Sequence, residues 1–210
     1  MRPARRPLTR RQLVRQQLTH LLYEMLPGMY IGGWQAAEYA CRTKLLGPRT
    51  YVVNLANGKP MFSPLGVMVK VNDDLKAVSM TIMDRAIGAV VDAMRVAMER
   101  GYPVIVHCHA GRQRSAAVIA AYIMKYEGLS LAATIQYMKT KKPDVFFRNV
   151  NFLPVLQQFE ASLQAAKRPE SLASDLASVT VPTSGVSGVS VASPQSVASV
   201  ASVASPPREK

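Results

Sequence analysis

Cysteine, histidine and tryptophan are scarce in this sequence: its 210 residues contain two, three and one of them, respectively. Two cysteines cannot build a disulfide-rich scaffold, and with three scattered histidines they do not form a zinc-binding spacing. Long apolar runs are missing as well, because the longest, residues 116–124, is well below the ~18 to 20 residues of a membrane helix. The sequence therefore predicts no disulfide framework, no metal site and no transmembrane segment.

The N-terminal residues are basic, but no apolar segment follows them as it would in a secretory signal. A low cysteine content suits a reducing compartment, which a reactive thiol would also require. We therefore expect a protein that is not secreted and is cytoplasmic, with a nuclear location as the alternative.

Acidic residues are few, 13 against 26 lysines and arginines, which gives a net charge of +13. Such an excess attracts acidic partners but does not determine the fold. Much of it lies in a basic arm that consists of Arg2, Arg5, Arg6, Arg10, Arg11 and Arg15. This arm could contact nucleic acid, a nuclear import receptor or anionic lipid, or it is simply a solvated basic end.

The segment 107–115 has the sequence His-Cys-His-Ala-Gly-Arg-Gln-Arg-Ser and follows the apolar stretch 103–106. An apolar stretch, a short glycine-containing turn and an apolar helical pattern predict a strand, a loop and a helix. Backbone N–H groups at such a helix start converge on one point, so the loop can bind a phosphate dianion without a metal.

Cys108 and Arg114 are the candidate functional groups of this loop. A thiol at a helix N-terminus beside two arginines has a lowered pKa, so we expect Cys108 to be an ionised nucleophile. The planar guanidinium of Arg114 can bind two phosphate oxygens in parallel. The alternative is a buried structural cysteine at the end of a strand.

The pattern His-Cys-x5-Arg-Ser resembles the signature loop of the cysteine-dependent protein tyrosine phosphatase superfamily. Further segments are similar to strands and C-terminal helices of its dual-specificity branch, namely 30–33, 51–55, 121–125, 129–131, 149–152 and 158–160. The resemblance covers about residues 27–162 and includes small virus-encoded dual-specificity phosphatases, some of which dimerise through a leading helix.

The resemblance implies how the loop works. Cys108 would attack the phosphorus and form a phosphocysteine, while Arg114 and the loop would hold the phosphate oxygens and the Ser115 hydroxyl would stabilise the departing sulfur. His107 would act indirectly, by hydrogen-bonding to the backbone, and Asn149 would be a supporting residue. The residues expected to bind the phosphate are His109, Ala110, Gly111, Arg112 and Gln113. Neither a metal nor an organic cofactor is needed.

Phosphoryl transfer also needs a proton donor for the leaving oxygen, placed on a separate segment. Asp73 and Asp74 are the candidates, because they follow the apolar strand 67–71 at the end of the sheet that carries the cysteine. In the dual-specificity pattern the acid precedes a bulky apolar helix residue by about ten positions, as Asp73 precedes Met83. We therefore prefer Asp73 as the proton donor and keep Asp74 as the alternative. The remaining possibility is that both residues have a structural role only, as capping or charged residues in the turn before the helix.

A catalytic domain this short resembles the shallow-pocket branch, which acts on phosphotyrosine and on phosphoserine or phosphothreonine in proteins. Arg112 and His109 make the loop more basic than is usual there, which is similar to phosphoinositide phosphatases; RNA 5'-phosphatases are further relatives. Alternatively, Arg112 is a solvated charge at the rim. We expect a phosphoprotein substrate, with a phosphoinositide or RNA 5'-phosphatase as the alternative and a non-catalytic phosphate-binding module as the third hypothesis.

Helical and strand patterns alternate along the chain and predict an α/β fold with a central, mainly parallel sheet flanked by helices. The expected strands are 29–32, 51–55, 67–71 and 103–106. The expected helices are 35–46, 78–100, 115–127, 130–141 and 149–166. Together they define a catalytic domain over residues 27–165.

The two ends of the chain are predicted to lie outside this domain. A capping box at Thr9 and an apolar face predict an N-terminal helix over residues 8–25, within a leading segment 1–26 that ends at Pro27-Gly28. A homodimer through this helix is a hypothesis. Residues 166–210 are rich in Ser, Val, Ala and Pro and lack aromatics, so we expect a disordered tail.

Overall fold

The computed structural model of the chain describes residues 21–177, with side chains over residues 21–166. Five strands form one sheet: β1 (Leu22–Leu26), β2 (Met29–Gly33), β3 (Tyr51–Asn54), β4 (Gly66–Met68) and β5 (Val104–Cys108). Their order across the sheet is β1-β2-β5-β3-β4. All neighbours are parallel except β1 and β2, which confirms the mainly parallel α/β sheet.

The helices of the described part are α1 (Trp34–Thr43), α2 (Ala77–Glu99), α3 (Arg114–Tyr122), α4 (Leu131–Lys141) and α5 (Leu153–Ala177). A single π-helical turn, Ile123–Glu127, continues α3. These bounds agree with the predicted elements to within a few residues, apart from the two ends of the chain. None of the described helices is long and apolar enough to cross a membrane alone; the bent pair 114–127 and 131–141 meets that criterion jointly.

The sequence prediction is wrong at the first strand. Residues 22–26, which overlap the end of the predicted helix 8–25, form β1 and pair antiparallel with β2. Pro27 and Gly28 are the centre of a tight turn between the two strands, and Gly28 has a φ of 80°, as the second central residue of a type II turn requires. Residues 1–20, with the basic arm and the rest of that predicted helix, lie outside the described residues.

The C-terminal boundary also differs from the prediction. Helix α5 extends to Ala177, so the first residues of the predicted tail are helical rather than disordered. The remainder of the tail, from residue 178 onward, lies outside the described part of the chain.

Strand β5 is buried along its whole length in the middle of the sheet. Because side chains alternate across a strand, Val104, Val106 and Cys108 face the large core that contains α2, α3 and α5. Ile105 instead joins a smaller core beneath α1. Cys108 is therefore the last inward residue of the central strand, directly before the loop that leads into α3.

Helix α3 is buried at every position. Four of its nine residues are alanine, which allows close packing against both the sheet and the neighbouring helices. This packing fixes the N-terminal end of α3, and with it the orientation of Arg114, relative to the carboxyl ends of the strands.

Candidate active site

The loop 108–114 lies tightly against the end of β2. Gly111 has a φ of 69°, and a Cβ atom on it would lie 2.5 Å from the backbone carbon of Gly32. A Cβ on the neighbouring Gly33 would lie 3.0 Å from the carbonyl oxygen of His109. The glycines allow two backbones to approach more closely than any side chain would permit, and this approach shapes the loop.

Substitution of Gly111 by alanine should therefore destabilise the fold and disrupt the loop. A left-handed conformation and an overlap with Gly32 together should cost about 2 to 4 kcal/mol of unfolding free energy. Gly88 offers a matched control, because it lies inside α2 and a Cβ there would meet nothing within 4 Å. Gly88→Ala should raise the stability by about 0.5 to 1 kcal/mol. Thermal unfolding of both variants measures the contrast, and an unchanged melting temperature for Gly111→Ala would contradict the close packing.

Cys108 is 2% exposed, and its sulfur lies 3.3 Å from the Ser115 hydroxyl. Burial alone would raise the pKa of this thiol and is the largest single influence on it. The Ser115 hydroxyl and N–H, the charge of Arg114 and the N–H of Arg112 together outweigh burial and lower the pKa of Cys108 below its ordinary value. This sulfur therefore has the electrostatic environment of a nucleophilic thiolate.

Arg114 is held in place by the ends of two other segments. Its Nη1 donates hydrogen bonds to the carbonyl oxygens of Leu55 at 2.9 Å and of Val71 at 3.2 Å. Its Nε is buried and has no hydrogen-bond partner among the described residues. A buried donor without a partner is costly, so this nitrogen is a candidate contact for an oxyanion bound in the loop.

Gln113 links the loop to the segment before α5. Its side-chain nitrogen donates to the carbonyl oxygens of Phe147 and Asn149, and its side-chain oxygen accepts the N–H of Asn151 at 3.2 Å. The predicted supporting role of Asn149 is thus carried by its backbone carbonyl. Gln113 is largely buried, so its side chain is a bridge between two segments rather than an exposed contact group.

Asn151 brings the predicted acid into this network. Its side-chain nitrogen donates a hydrogen bond of 2.8 Å to a carboxylate oxygen of Asp73. Asp73 is therefore connected to the loop 108–114 through Asn151 and Gln113. Asn151 lies in the segment 149–152 that resembles the family, but its role could not be predicted, because nothing local in the sequence distinguishes it from Asn149.

Asp74 has a different environment. Its carboxylate accepts the N–H of Lys76 at 3.3 Å at the start of α2. A hydrogen bond from Ser79 is the main cause that lowers the pKa of Asp74. A carboxyl group that is stabilised as an anion at a helix start is a poor proton donor, and the capping role considered for both aspartates fits Asp74.

The His107 ring interacts with the backbone of Cys108, which favours its charged form, but this contact falls short of full hydrogen-bonding geometry. Neither ring nitrogen has a partner of hydrogen-bonding geometry among the described residues, and the ring packs against Phe62 with the centroids 5.5 Å apart. Alternation along β5 places this side chain on the face opposite to Cys108. Burial lowers the pKa of His107 to about 4, so the ring is neutral at physiological pH. Its contribution is packing beneath the loop.

Of the other residues predicted to bind phosphate, His109, Ala110 and Arg112 are exposed and Gly111 is buried. The Arg112 Nε donates to a carboxylate oxygen of Asp144 at 2.8 Å, and Lys142 forms an ion pair with the same carboxylate. Arg112 therefore supplies less free positive charge to the loop than its sequence position implies.

Comparison with known proteins agrees with this geometry. Residues 29–162 match the family model described as dual specificity phosphatase, catalytic domain. The chain is similar to human dual specificity phosphatase 28, with 33% identity over 147 residues, which cover 69% of this chain and 80% of that protein. It is also 40% identical over 76 residues to dual specificity protein phosphatase 1 of Arabidopsis thaliana, but that match covers 36% of this chain and 38% of the plant protein.

The crystal structure of human DUSP28 resembles the fold with a TM-score of 0.58 and 30% identity, over 69% of this chain and 95% of that one. The sheet order, the cysteine loop at the carboxyl end of the central strand and the match over most of the domain all point to one assignment. The chain belongs to the dual specificity phosphatase family, and residues 29–162 are its catalytic domain.

Proposed function

We propose that the protein hydrolyses phosphotyrosine and phosphoserine or phosphothreonine in protein substrates through a phosphocysteine intermediate. Cys108 is the nucleophile, Arg114 and the N–H groups of the loop bind the phosphate, and Asp73 is the general acid. The observation that carries this proposal is the pairing of a sulfur whose pKa is lowered with an arginine whose buried Nε is without a partner in the described residues.

In the first step the Cys108 thiolate forms a bond to phosphorus while the bond from phosphorus to the leaving oxygen breaks. The carboxyl group of Asp73 gives its proton to that oxygen, so a neutral alcohol or phenol departs. The loop N–H groups and Arg114 stabilise the negative charge on the equatorial oxygens. The product of this step is a phosphocysteine.

In the second step the Asp73 carboxylate takes a proton from water while the water oxygen forms a bond to phosphorus. The bond between sulfur and phosphorus breaks, which releases inorganic phosphate and restores the thiolate. The Ser115 hydroxyl, 3.3 Å from the sulfur, donates a hydrogen bond to it as its negative charge returns. No cofactor takes part in either step.

The ion pairing of a basic residue in the loop favours a protein substrate over a phosphoinositide or an RNA 5' end. A polyanionic substrate would have to bind through Arg112 and His109, but Arg112 is partly neutralised by Asp144. A non-catalytic phosphate-binding module is disfavoured, because phosphate binding alone requires neither a lowered pKa at Cys108 nor a carboxylate linked to the loop.

The substrate class is tested by comparing initial rates on phosphotyrosine and phosphothreonine peptides, a soluble phosphoinositide and an RNA with a 5' phosphate. We expect both peptides to be hydrolysed with a higher kcat/KM than either polyanion. Peptide rates at background together with turnover of a polyanion would contradict the proposal and favour the alternative. Acid quenching during turnover of a 32P-labelled peptide should leave label on Cys108.

The pH dependence of kcat/KM should report the environment of Cys108. Because the thiolate is the reactive form, the rate should fall as pH decreases through the pKa of this thiol. Ser115→Ala removes a hydrogen bond that lowers that pKa, so the acidic limb of the profile should move to higher pH. Thr134→Ser is a control that keeps a buried hydroxyl in a different element, α4. An acidic limb that stays in place in Ser115→Ala would contradict this role of the hydroxyl.

We further propose that the protein acts in a reducing compartment, the cytoplasm with the nucleus as the alternative, because its thiolate must stay reduced. Contact of the basic arm with an acidic partner and a homodimer through the N-terminal segment also remain proposals. Since β1 replaces the end of the predicted helix and buries Met25 in the core, the helical face proposed for that contact does not include residues 22–26. Light scattering at micromolar concentration distinguishes monomer from dimer.

A further inference from the structure

Residues 146–148 form an unusual turn beside the loop 108–114. Phe146 and Arg148 have φ values of 53° and 69°, in the left-handed region that residues with a side chain rarely adopt. Between them lies Phe147, whose side chain is 54% exposed. Two non-glycine residues with positive φ cost free energy, and such conformations persist where the surroundings hold them and tend to occur at functional sites.

Hydrogen bonds to the loop hold this turn. The N–H of Phe146 donates to the carbonyl oxygen of Arg112 at 2.8 Å, and the Gln113 side chain donates to the carbonyl oxygen of Phe147 at 3.2 Å. Phe146 itself is buried in the core. The backbone of the turn is therefore fixed to the two residues that directly precede Arg114, and the exposed Phe147 ring lies beside the Arg112 side chain of the loop.

Two guanidinium groups lie beside the exposed ring. The Cζ atoms of Arg112 and Arg148 are 5.8 Å and 5.4 Å from the ring centroid of Phe147, within the range of cation–π contacts. Arg112 is paired with Asp144, whereas Arg148 makes no salt bridge within the described part of the chain. The surface thus combines one exposed apolar ring with one uncompensated positive charge.

We propose that Phe147 and Arg148 form a docking surface for an acidic segment that flanks the phosphorylated residue of a protein substrate. The inference rests on the proposed phosphoprotein phosphatase activity and names the feature of the substrate that the site selects. The Phe147 ring packs against an apolar part of the flanking segment, and Arg148 pairs with its Asp or Glu side chain.

A peptide fits this surface better than an anionic membrane. Membrane binding of this kind takes a cluster of several basic residues and a larger apolar area than one ring provides. A short acidic segment needs only one ring and one cation, which this surface provides.

The test compares the full-length chain on two phosphotyrosine peptides of equal length, one with acidic and one with neutral flanking residues, and on a small aryl phosphate. The wild type should prefer the acidic peptide through a lower KM. Phe147→Ser and Arg148→Ser should each reduce kcat/KM for the acidic peptide about five- to tenfold, while turnover of the aryl phosphate stays within about twofold. Arg148→Glu should reverse the preference in favour of a peptide with basic flanking residues.

Arg49→Ser is the matched control, because this exposed arginine precedes β3 at the opposite end of the sheet. Equal kcat/KM for the acidic and neutral peptides in the wild type would overturn the docking surface and leave the proposed activity intact. An equal loss on the aryl phosphate in Phe147→Ser would also overturn it, because the ring would then be structural. Binding to phosphatidylserine vesicles that Phe147→Ser abolishes would assign the surface to a membrane instead. If the wild type hydrolyses only the aryl phosphate and neither peptide, the proposed function itself fails.

Discussion

Replacement of Cys108 by serine should reduce aryl phosphate turnover to background, a loss of about 10⁴-fold or more. An alcohol is a far weaker nucleophile than a thiolate at neutral pH, and the environment that lowers the pKa of the Cys108 thiol cannot ionise a serine hydroxyl. Because the side chains have nearly the same volume, the variant should fold normally. Initial rates and circular dichroism of the purified variant measure both expectations.

Cys41→Ser is the control for this experiment. Burial raises the pKa of the Cys41 thiol to about 11, so this cysteine is protonated at neutral pH and unreactive. The Cys41→Ser variant should retain wild-type turnover and wild-type sensitivity to thiol alkylation at Cys108. Substantial turnover by Cys108→Ser, with no label on residue 108 after acid quenching, would contradict a mechanism through phosphocysteine.

The second large effect is expected at Asp73. Asp73→Asn keeps an oxygen that can accept the hydrogen bond of Asn151 but cannot protonate a leaving group, so kcat should fall by ~10² to 10⁴. The loss should be greatest for substrates with a basic leaving group, such as phosphoserine peptides, and smallest for an activated aryl phosphate. Asp74→Asn is the matched control, and an equal loss from it alone would move the assignment by one residue.

Asn151 offers an independent test of the same network. Asn151→Ala leaves the Asp73 carboxylate without its hydrogen-bond donor, so the acid should be less well positioned and kcat should fall about tenfold. The decrease should follow the leaving-group dependence of Asp73→Asn, with little change in KM. A uniform loss on all substrates would indicate a structural role of Asn151 instead.

The loop could be predicted from the sequence because its determinants are local. A buried β-branched strand, a glycine in a tight turn and the start of an apolar helix follow one another within 104–122, and each is visible in the order of the residues. The parallel sheet follows from the alternation of strands and helices. The family resemblance added the role proposed for Asp73, which local patterns alone do not separate from Asp74.

The first strand could not be predicted in this way. Residues 21, 22 and 25 fit an apolar helical face, and Pro27-Gly28 is as suitable for a helix end as for a hairpin turn. The strand is determined by its partners: it pairs with β2, and the carbonyl oxygen of Met25 accepts the Tyr137 hydroxyl, 112 positions away in the sequence. Tertiary pairing overrides a local pattern when the two conflict.

The hydrogen-bonded connection between the loop and Asp73 could not be predicted from the sequence either. Gln113 and Asn151 are 38 positions apart, and Asn151 and Asp73 are 78 positions apart. Each of these side chains is ordinary in its own local context. Their connection arises only because the ends of β4, β5 and α4 lead their following loops to one edge of the sheet. For the same reason, the turn at residues 146–148 with its two positive φ values could not be predicted from the sequence.

The attachment of Arg114 to the carbonyl oxygens of Leu55 and Val71 has a thermodynamic consequence for ligand binding. An unrestrained arginine side chain loses considerable rotational freedom when it binds an anion. The Arg114 side chain is already held in place before an anion binds, so it loses less. Binding of phosphate or a tetrahedral oxyanion should therefore carry only a small unfavourable entropy in calorimetry. The same rigidity acts on the reaction product, so free orthophosphate should compete with substrate as an effective inhibitor.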